Sequence, residues 1–381
     1  MLLNNGTVFN GAYFENGLQV RLSGGIVSET GRNLHAQPGE EVIDLKGDYL
    51  LPGFVDVHIH GCFGQDTMRG EEAVRCMSRC LYQQGVAAFC PTTMSAGEQE
   101  TISAVRGIRA VMNHPEKNGA RVIGAHLEAP FLQPERAGAQ KAEYFRAPDY
   151  NWLLRITEGD LSVIRLITLA PELPNSETFV RRARENNIRI SIGHSSADSE
   201  TVHQCAAWGA DHVTHLFNAQ TPLHHRLPGI PGAALADERL YCEIICDGKH
   251  LHWDIVRMVI RCKGAAKTIA VTDAMEAAGM PDGPYELGGQ KVVVSNGTAR
   301  LVNGTIAGSV LTMPMILDNL IHRAGIEPES ACTVCTSSPA VSVGEPLLGR
   351  IAAGSPAPLT RWKSDLRMRN PMGKVAFSVI G

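Results

Sequence analysis

Two histidines two positions apart, His58 and His60, have the residue type and spacing of a metal half-site. They follow the turn signal Pro52-Gly53 and a short apolar run at 54–57, which predicts a buried strand. Residues two apart on a strand point to the same side, so both imidazoles project together. Neutral imidazoles are common metal ligands. An isolated pair is equally well explained by polar residues that close a strand, so the rest of the chain must decide.

The middle of the chain alternates strand-like and helix-like patterns, and this order predicts a parallel sheet. Predicted helices separate most of the strands, at 71–84, 98–113, 176–186, 199–208 and 253–262, and another follows at 312–324. No Gly-x-Gly-x-x-Gly follows a strand, which disfavours the alternative of an open doubly wound sheet. The pattern favours α/β class, with a closed (β/α)8 barrel. The eight predicted strands span 55–60, 87–93, 122–128, 163–171, 188–194, 212–218, 241–247 and 268–273.

Most of these strands end in residues that bind metals or transfer protons. Catalytic groups of such barrels lie at the carboxyl ends of the strands, where these side chains would converge. A single histidine there is more often structural, but a set of ionisable groups is costly to bury unless it is paired or metal-bound. The strand-end residues are His58 and His60, Glu128, His194, His215 and Asn218, Asp247 and His250, and Asp273.

Both ends of the chain differ from the middle. Residues 1–51 and 345–381 contain short alternating segments with tight turns, including a strand at 374–380, and no helical period occurs in the first fifty residues. We predict one small β domain built from both termini, at 1–51 and 345–381. The barrel would occupy 52–344.

Composition excludes several classes of protein. The 381 residues are 44% hydrophobic with a net charge of −4, and no basic stretch indicates nucleic-acid or anionic-membrane binding. No run approaches the length of a membrane span, and the N-terminus lacks a signal-peptide pattern. Several of the ten cysteines lie in apolar runs, which favours free thiols in a reducing cytoplasm.

The motifs together resemble the N-acetylglucosamine-6-phosphate deacetylase family of the amidohydrolase superfamily. The resemblance runs from about residue 44 to 352. It rests on Pro-Gly-Phe-Val-Asp before His-x-His, His126-Leu-Glu128-Ala-Pro-Phe, Gly193-His194-Ser, His215-Leu-Phe-Asn218-Ala219, Thr221-Pro-Leu-His-His-Arg226-Leu-Pro-Gly, Asp247-Gly-Lys-His250, Thr272-Asp273-Ala274 and Gly308-Ser-Val-Leu-Thr-Met. It implies a distorted barrel with a small β-sandwich, which agrees with the pattern-based prediction.

The resemblance implies a divalent metal held by Glu128, His194 and His215. Zinc is expected, with Fe²⁺ or Mn²⁺ as alternatives. Because His58 and His60 are both present, a second metal with Glu128 bridging is expected, giving one or two metals per subunit. Asp273 would be the general base and acid that hydrolyses the acetamide of N-acetylglucosamine 6-phosphate.

The resemblance also implies substrate contacts and a homodimer. A small phosphorylated amino sugar would be bound by Asn218, Ala219, Arg226 and His250, by the loop of Ile306, Ala307 and Gly308, and by Ala139 and Gln140. The chain departs from the family pattern at Gln140, where many relatives have histidine, and at Ala129, Gln220 and Pro358.

These departures leave the substrate open, with the galactosamine epimer as one alternative. A different amidohydrolase is a second, but its substrates would not need a phosphate contact at Arg226. A catalytically silent sugar-phosphate sensor is a third, which retention of the metal ligands and Asp273 disfavours.

Overall fold

The chain begins with seven short strands that alternate between buried and exposed residues. The structure is a computed structural model that describes residues 1–363, 365–368 and 377–380. In β4, for example, Val20 and Leu22 are buried while their neighbours are more exposed, as expected for a sheet with one covered face. The strands are β1 (Leu2–Asn4), β2 (Thr7–Phe9), β3 (Phe14–Asn16), β4 (Gln19–Ser23), β5 (Ile26–Gly31), β6 (Val42–Asp44) and β7 (Tyr49–Pro52).

A parallel barrel follows. Its strands pair in the order β8-β11-β12/β13-β14-β15-β16-β17-β18, and β9 and β10 form a separate small hairpin. The barrel closes where Ile59 pairs in parallel with Ala274 and the N–H of Asp273 donates to His58 O at 2.9 Å. The predicted barrel is thereby confirmed. The strands are β8 (Phe54–Ile59), β9 (Gly61–Cys62), β10 (Gln65–Asp66), β11 (Val86–Thr93), β12 (Arg121–Val122), β13 (Ala125–Leu127), β14 (Ile164–Leu169), β15 (Arg189–Ile192), β16 (His212–Val213), β17 (Tyr241–Ile245) and β18 (Thr268–Val271).

Two strands differ from the prediction. The third is interrupted between β12 and β13 by Gly124, whose φ of +131° is incompatible with a continuous strand. The sixth, predicted over 212–218, ends at Val213, because His215, Phe217 and Ala219 all have positive φ values. Both departures lie beside strand ends that carry predicted metal ligands, where backbone irregularity aims side chains.

The helices cover the outside of the barrel. All six predicted helices are present within two residues of their expected ends, while α3, α6, α9 and α10 were not predicted. Asn175 precedes α4, but its side chain makes no capping hydrogen bond. The helices are α1 (Glu71–Gln83), α2 (Glu98–Asn113), α3 (Tyr150–Ile156), α4 (Ser176–Glu185), α5 (Ser199–Trp208), α6 (Gly229–Ala236), α7 (Trp253–Lys263), α8 (Met313–His322), α9 (Pro328–Cys335) and α10 (Ser337–Ser342). Short 3₁₀ turns lie at Thr67–Arg69, Pro134–Arg136, Ala142–Tyr144, Leu161–Val163 and Ala265–Lys267.

A three-stranded sheet is inserted between β18 and α8: β19 (Gly283–Leu287), β20 (Gln290–Ser295) and β21 (Thr298–Leu301). The chain then returns to the N-terminal strands through β22 (Leu359–Trp362) and β23 (Phe377–Ile380). The terminal strands form a four-stranded sheet, β5-β4-β1-β6, and a five-stranded sheet, β23-β22-β7-β2-β3.

These two sheets share a separate apolar core that includes Val8, Val20, Leu50 and Leu359. The small β domain built from both termini is therefore confirmed as part of the fold. Its boundaries, 1–51 with 345–381 against 52–344, stay a prediction. Residues 364, 369–376 and 381, including the start of the predicted strand 374–380, lie outside the described residues. None of the helices in the described ranges combines the length and apolar character needed to cross a membrane.

Candidate active site

Two groups of metal-ligand side chains meet at the carboxyl ends of the barrel strands. His58 lies in β8 and His60 follows it, and together with Asp273, after β18, they form the first group. Every member of both groups is buried. The second group follows β13, β15 and β16 and consists of Glu128, His194 and His215.

Glu128 links the two groups. Its Oε1 lies 3.3 Å from His194 Nε2, 3.2 Å from His215 Nε2 and 3.3 Å from His58 Nε2. Its Oε2 lies 3.3 Å from His60 Nε2. One carboxylate therefore faces imidazoles of both groups, which is the arrangement of a bridging ligand.

The first group adds a second carboxylate. Asp273 Oδ1 lies 3.5 Å from His58 Nε2 and 3.3 Å from His60 Nε2, and the two imidazole nitrogens are 3.4 Å apart. In the second group, His194 Nε2 and His215 Nε2 are 3.0 Å apart. Ligands of a tetrahedral zinc with bonds of about 2.0–2.1 Å are separated by about 3.3 Å. Both sets of donors fit divalent cations in chemistry and spacing.

The pKa shifts show how strongly these groups are coupled. Burial opposes ionisation of Asp273, but the imidazoles of His58 and His60 outweigh it and lower its pKa to about 2. Burial likewise opposes the charged form of His60, yet the carboxylates of Asp273 and Glu128 raise its pKa to about 9. The pKa of Glu128 lies well below its usual range for the same reason as that of Asp273. Protons on His58 and His60 balance the buried carboxylates, and a metal would displace those protons.

Backbone conformation directs three of these side chains. His194, His215 and Asp273 have φ values of +47°, +29° and +46°, which L residues rarely adopt. Such positions cost on the order of 1–3 kcal/mol each and concentrate at functional sites. Asp273 is further fixed because its carbonyl accepts the N–H of Ser309 at 2.7 Å. A Cβ at Gly308 would lie 3.0 Å from that same carbonyl, so a small residue is favoured there.

Three of the four histidines are anchored through Nδ1, which leaves Nε2 to face the cluster. His60 Nδ1 lies 3.3 Å from Thr92 O, and His194 Nδ1 lies 2.8 Å from Arg136 O. His58 Nδ1 instead meets a carboxylate, that of Glu243, at 3.0 Å. His215 Nδ1 is buried without a hydrogen-bond partner.

A cavity of about 390 Å³ opens above the two groups, within the size range of small-ligand sites. The cavity is lined by all but three of the residues predicted to bind metal or substrate or to act in catalysis. His58 lies beneath its floor, Ala307 is buried behind it, and Arg226 is exposed on the loop at 221–228 with its Nη1 2.7 Å from His225 Nε2. The lining residues are His60, Met94, Glu128, Glu135, Arg136, Gly138, Ala139, Gln140, His194, His215, Asn218, Ala219, His250, Asp273, Leu287, Thr305, Ile306 and Gly308.

Two of the predicted substrate contacts already form hydrogen bonds with carboxylates of the protein. Gln140 donates a hydrogen bond from Nε2 to Glu128 Oε2. His250 Nδ1 lies 2.7 Å from Asp247 Oδ2. Burial opposes protonation of His250, but this carboxylate raises its pKa above the ordinary value. With Nδ1 bonded to Asp247, the Nε2 of His250 is left for the cavity, where it donates a hydrogen bond when the ring is protonated and accepts one when the ring is neutral.

Sequence reasoning missed several residues of the site. Arg136, in the 3₁₀ turn Pro134–Arg136, is the single arginine among the described residues that line the cavity. Glu243 is completely buried below the floor. A lone acidic residue inside the apolar run of β17 was a signal that could have singled out Glu243. Nothing in the local sequence distinguished Arg136.

The fold and the site define the class of barrel hydrolases that act with a divalent metal. The amidohydrolase family profile matches residues 49–380. The chain belongs to the amidohydrolase family, within the group of N-acetylglucosamine-6-phosphate deacetylases. The resemblance inferred from the motifs is thereby confirmed.

The relatives support this grouping over most of their length. N-acetylglucosamine-6-phosphate deacetylase of Lysinibacillus sphaericus is 38% identical over 84% of this chain and 82% of its own. N-acetylgalactosamine-6-phosphate deacetylase of Escherichia coli O157:H7 is 32% identical over 86% of this chain and 87% of its own. A Mycobacterium smegmatis N-acetyl-D-glucosamine-6-phosphate deacetylase, solved as an aspartate-to-alanine mutant with N-acetyl-D-glucosamine-6-phosphate, superposes with a TM-score of 0.89 at 28% identity, covering 96% of each chain.

Proposed function

We propose that the protein hydrolyses the acetamide of N-acetylglucosamine 6-phosphate to glucosamine 6-phosphate and acetate. The observation that carries this proposal is the position of Asp273, whose Oδ1 lies 3.3 Å from His60 Nε2 on the floor of the cavity. This carboxylate belongs to the first group of metal ligands and lines the cavity that an amide substrate would enter, which supports a role for Asp273 as the base. The relatives named above act on sugars of this kind, which supports the choice of substrate.

A divalent cation held by these side chains supplies Lewis-acid chemistry, acidifying water and polarising a carbonyl oxygen. Asp273 is ionised at neutral pH because positive charge beside it, on His58 and His60 or on a cation that replaces their protons, lowers its pKa. Its carboxylate accepts a proton from the attacking water. The water oxygen forms a bond to the acetyl carbon. Asp273 then returns the proton to the amide nitrogen as the carbon–nitrogen bond breaks, which releases the free amine and acetate.

Phosphate recognition requires donors and positive charge. Asn218, Ala219 and Arg136 all line the cavity, so each is available to contact a phosphate bound there. Arg226, the arginine indicated by the family motif, lies outside the cavity of this single chain. Arg136 is therefore the phosphate-binding arginine that we favour, with Arg226 contributing if a second copy of the chain or a loop movement brings it to the cavity.

The finer properties are proposals as well. We favour zinc, with Fe²⁺ or Mn²⁺ as alternatives, because imidazole and carboxylate donors suit all three. We favour a homodimer, on the basis of the family resemblance. A cytoplasmic location is supported by ten free cysteines, which include the pair Cys332 and Cys335 with Cys-x-x-Cys spacing, both buried in α9.

The test is acetate release from N-acetylglucosamine 6-phosphate and from its galactosamine epimer, before and after chelation and zinc addition. Chelator-sensitive turnover of the glucosamine compound is the expected result. Faster turnover of the epimer would assign the protein to the activity of the Escherichia coli relative. Lack of turnover of both, in protein that retains metal, would overturn the proposal and favour a sugar-phosphate sensor.

A further inference from the structure

Glu243 is a buried acid at the centre of an apolar strand. It lies in β17 between Cys242 and Ile244, and all three residues are completely buried. Burying a carboxylate costs on the order of several kcal/mol unless its charge is compensated. Packing alone gives no reason for an acidic residue at this position.

The contacts of Glu243 connect it to both groups of metal ligands. Its Oε2 lies 3.0 Å from His58 Nδ1 and accepts the main-chain N–H of His215 at 3.4 Å. Its Oε1 is buried without a hydrogen-bond partner. In the described part of the chain, Glu243 forms no ion pair with lysine or arginine, so its charge is compensated through His58.

We propose that Glu243 is a positioning residue that prepares His58 for metal binding. By accepting the proton on Nδ1, it fixes the tautomer in which the lone pair of Nε2 points to His60 and Asp273. His60 and His194 are anchored by neutral main-chain carbonyls instead. A carboxylate partner makes an imidazole a stronger electron donor to a metal, so His58 would be the most basic imidazole of the group.

The arrangement also explains the burial of the acid. A cation held by His58 would polarise the Nδ1–H bond toward Glu243, and the His58–Glu243 pair would then carry no uncompensated negative charge. Glu243 and the metal group would stabilise each other. The inference rests on the proposed function only in assuming that a divalent metal binds at His58, His60 and Asp273.

The test measures zinc binding to the metal-free full-length protein by competition with a chromophoric chelator, with circular dichroism as the check on folding. Wild type should bind two equivalents. Glu243→Gln retains an acceptor but removes the charge, and Glu243→Ala removes both. We expect the affinity for one equivalent to fall about 10- to 100-fold in Glu243→Gln and further in Glu243→Ala, with the other equivalent unchanged.

Two variants distinguish positioning from a merely structural role. Glu276→Gln is the matched control, because Glu276 is also buried but pairs with Arg69 rather than with a histidine. It should bind both equivalents normally. His58→Ala should lose the same equivalent as the Glu243 variants, and adding Glu243→Gln to His58→Ala should cause no further loss.

The proposal is overturned if Glu243→Gln and Glu243→Ala bind both equivalents as wild type does, or if the losses in the double variant are additive. It is also overturned if wild type binds a single equivalent that does not depend on Glu243. These results are independent of acetate release. A failure of the deacetylase assay with Glu243-dependent zinc binding would reject the proposed substrate and leave this inference standing.

Discussion

Gln140 donates a hydrogen bond from Nε2 to Glu128 Oε2, while its own Oε1 accepts the main-chain N–H of Ser95 at 2.7 Å. Both ends of the amide are therefore engaged within the protein. The family resemblance placed Gln140 among the substrate contacts, at a position where many relatives have histidine. Its observed partners favour a different task, which is holding the carboxylate that links the two metal groups.

Replacing Gln140 should therefore affect metal binding as well as turnover. Gln140→Glu places a second carboxylate against Glu128, and Gln140→Ala removes the hydrogen bond. Hydrogen bonds to charged groups are worth about 1.5–3 kcal/mol, so we expect kcat/KM to fall at least about tenfold in both variants. Steady-state kinetics and metal content by mass spectrometry measure the effect. Raised KM with unchanged kcat and metal content would instead assign Gln140 to direct substrate contact.

Asp273→Asn should abolish proton transfer while preserving the fold. Asparagine is isosteric and tolerates the positive φ found at this position. Loss of a general acid–base group costs about 10²- to 10⁴-fold, so kcat should fall by that factor while KM changes little. Steady-state acetate release is the measurement. Asp282→Asn, at an exposed position in the insertion, is the control. A kcat within tenfold of wild type would exclude Asp273 as the base.

The two candidate phosphate-binding arginines can be distinguished by paired substitutions. Arg136→Ala should raise KM for the phosphorylated substrate about 10- to 100-fold, as expected for loss of a charge-assisted hydrogen bond. Turnover of N-acetylglucosamine, the same sugar without its phosphate group, should not change in this variant. Arg226→Ala should have little effect if the cavity of one chain is complete. The opposite result, with the loss confined to Arg226→Ala, would show that this arginine reaches the cavity from a neighbouring subunit or after loop movement.

The sequence predicted the parts of the site that depend on local patterns. The two-residue period of a strand predicts that His58 and His60 share a side, and barrel topology predicts that strand ends such as His194 converge. Contacts between distant elements have no local pattern. Glu243 and its partner His58 are far apart in sequence, and Arg136 enters the cavity only because the 3₁₀ turn that carries it packs beside His194.

The predicted end of the sixth barrel strand was wrong for a similar physical reason. The eight strands were predicted because runs of buried apolar residues are visible in the sequence. The early end of β16 depends on positive φ values at His215, Phe217 and Ala219, which are not glycines and give no sequence signal. Tertiary contacts impose these conformations, so local propensity predicted a longer strand there.

A final prediction concerns acid stability away from the site. Asp211 lies 2.8 Å from Arg189 Nη1, 3.1 Å from Arg184 Nη1 and 2.8 Å from His212 Nδ1. Burial opposes its ionisation, but the charges of His212 and the two arginines outweigh burial and lower its pKa to about 2. Because the folded pKa of Asp211 is below the unfolded value of about 3.9, the interaction of the ionised carboxylate with its three partners stabilises the fold above pH 4. This contribution is lost as the pH falls toward 2.

Asp211→Asn should therefore lower the free energy of unfolding by about 2 kcal/mol at pH 7, and the difference from wild type should shrink between pH 4 and pH 2. Urea denaturation at a series of pH values measures the difference, and a gap that stays constant over that interval would show that the charge of Asp211 contributes nothing to stability.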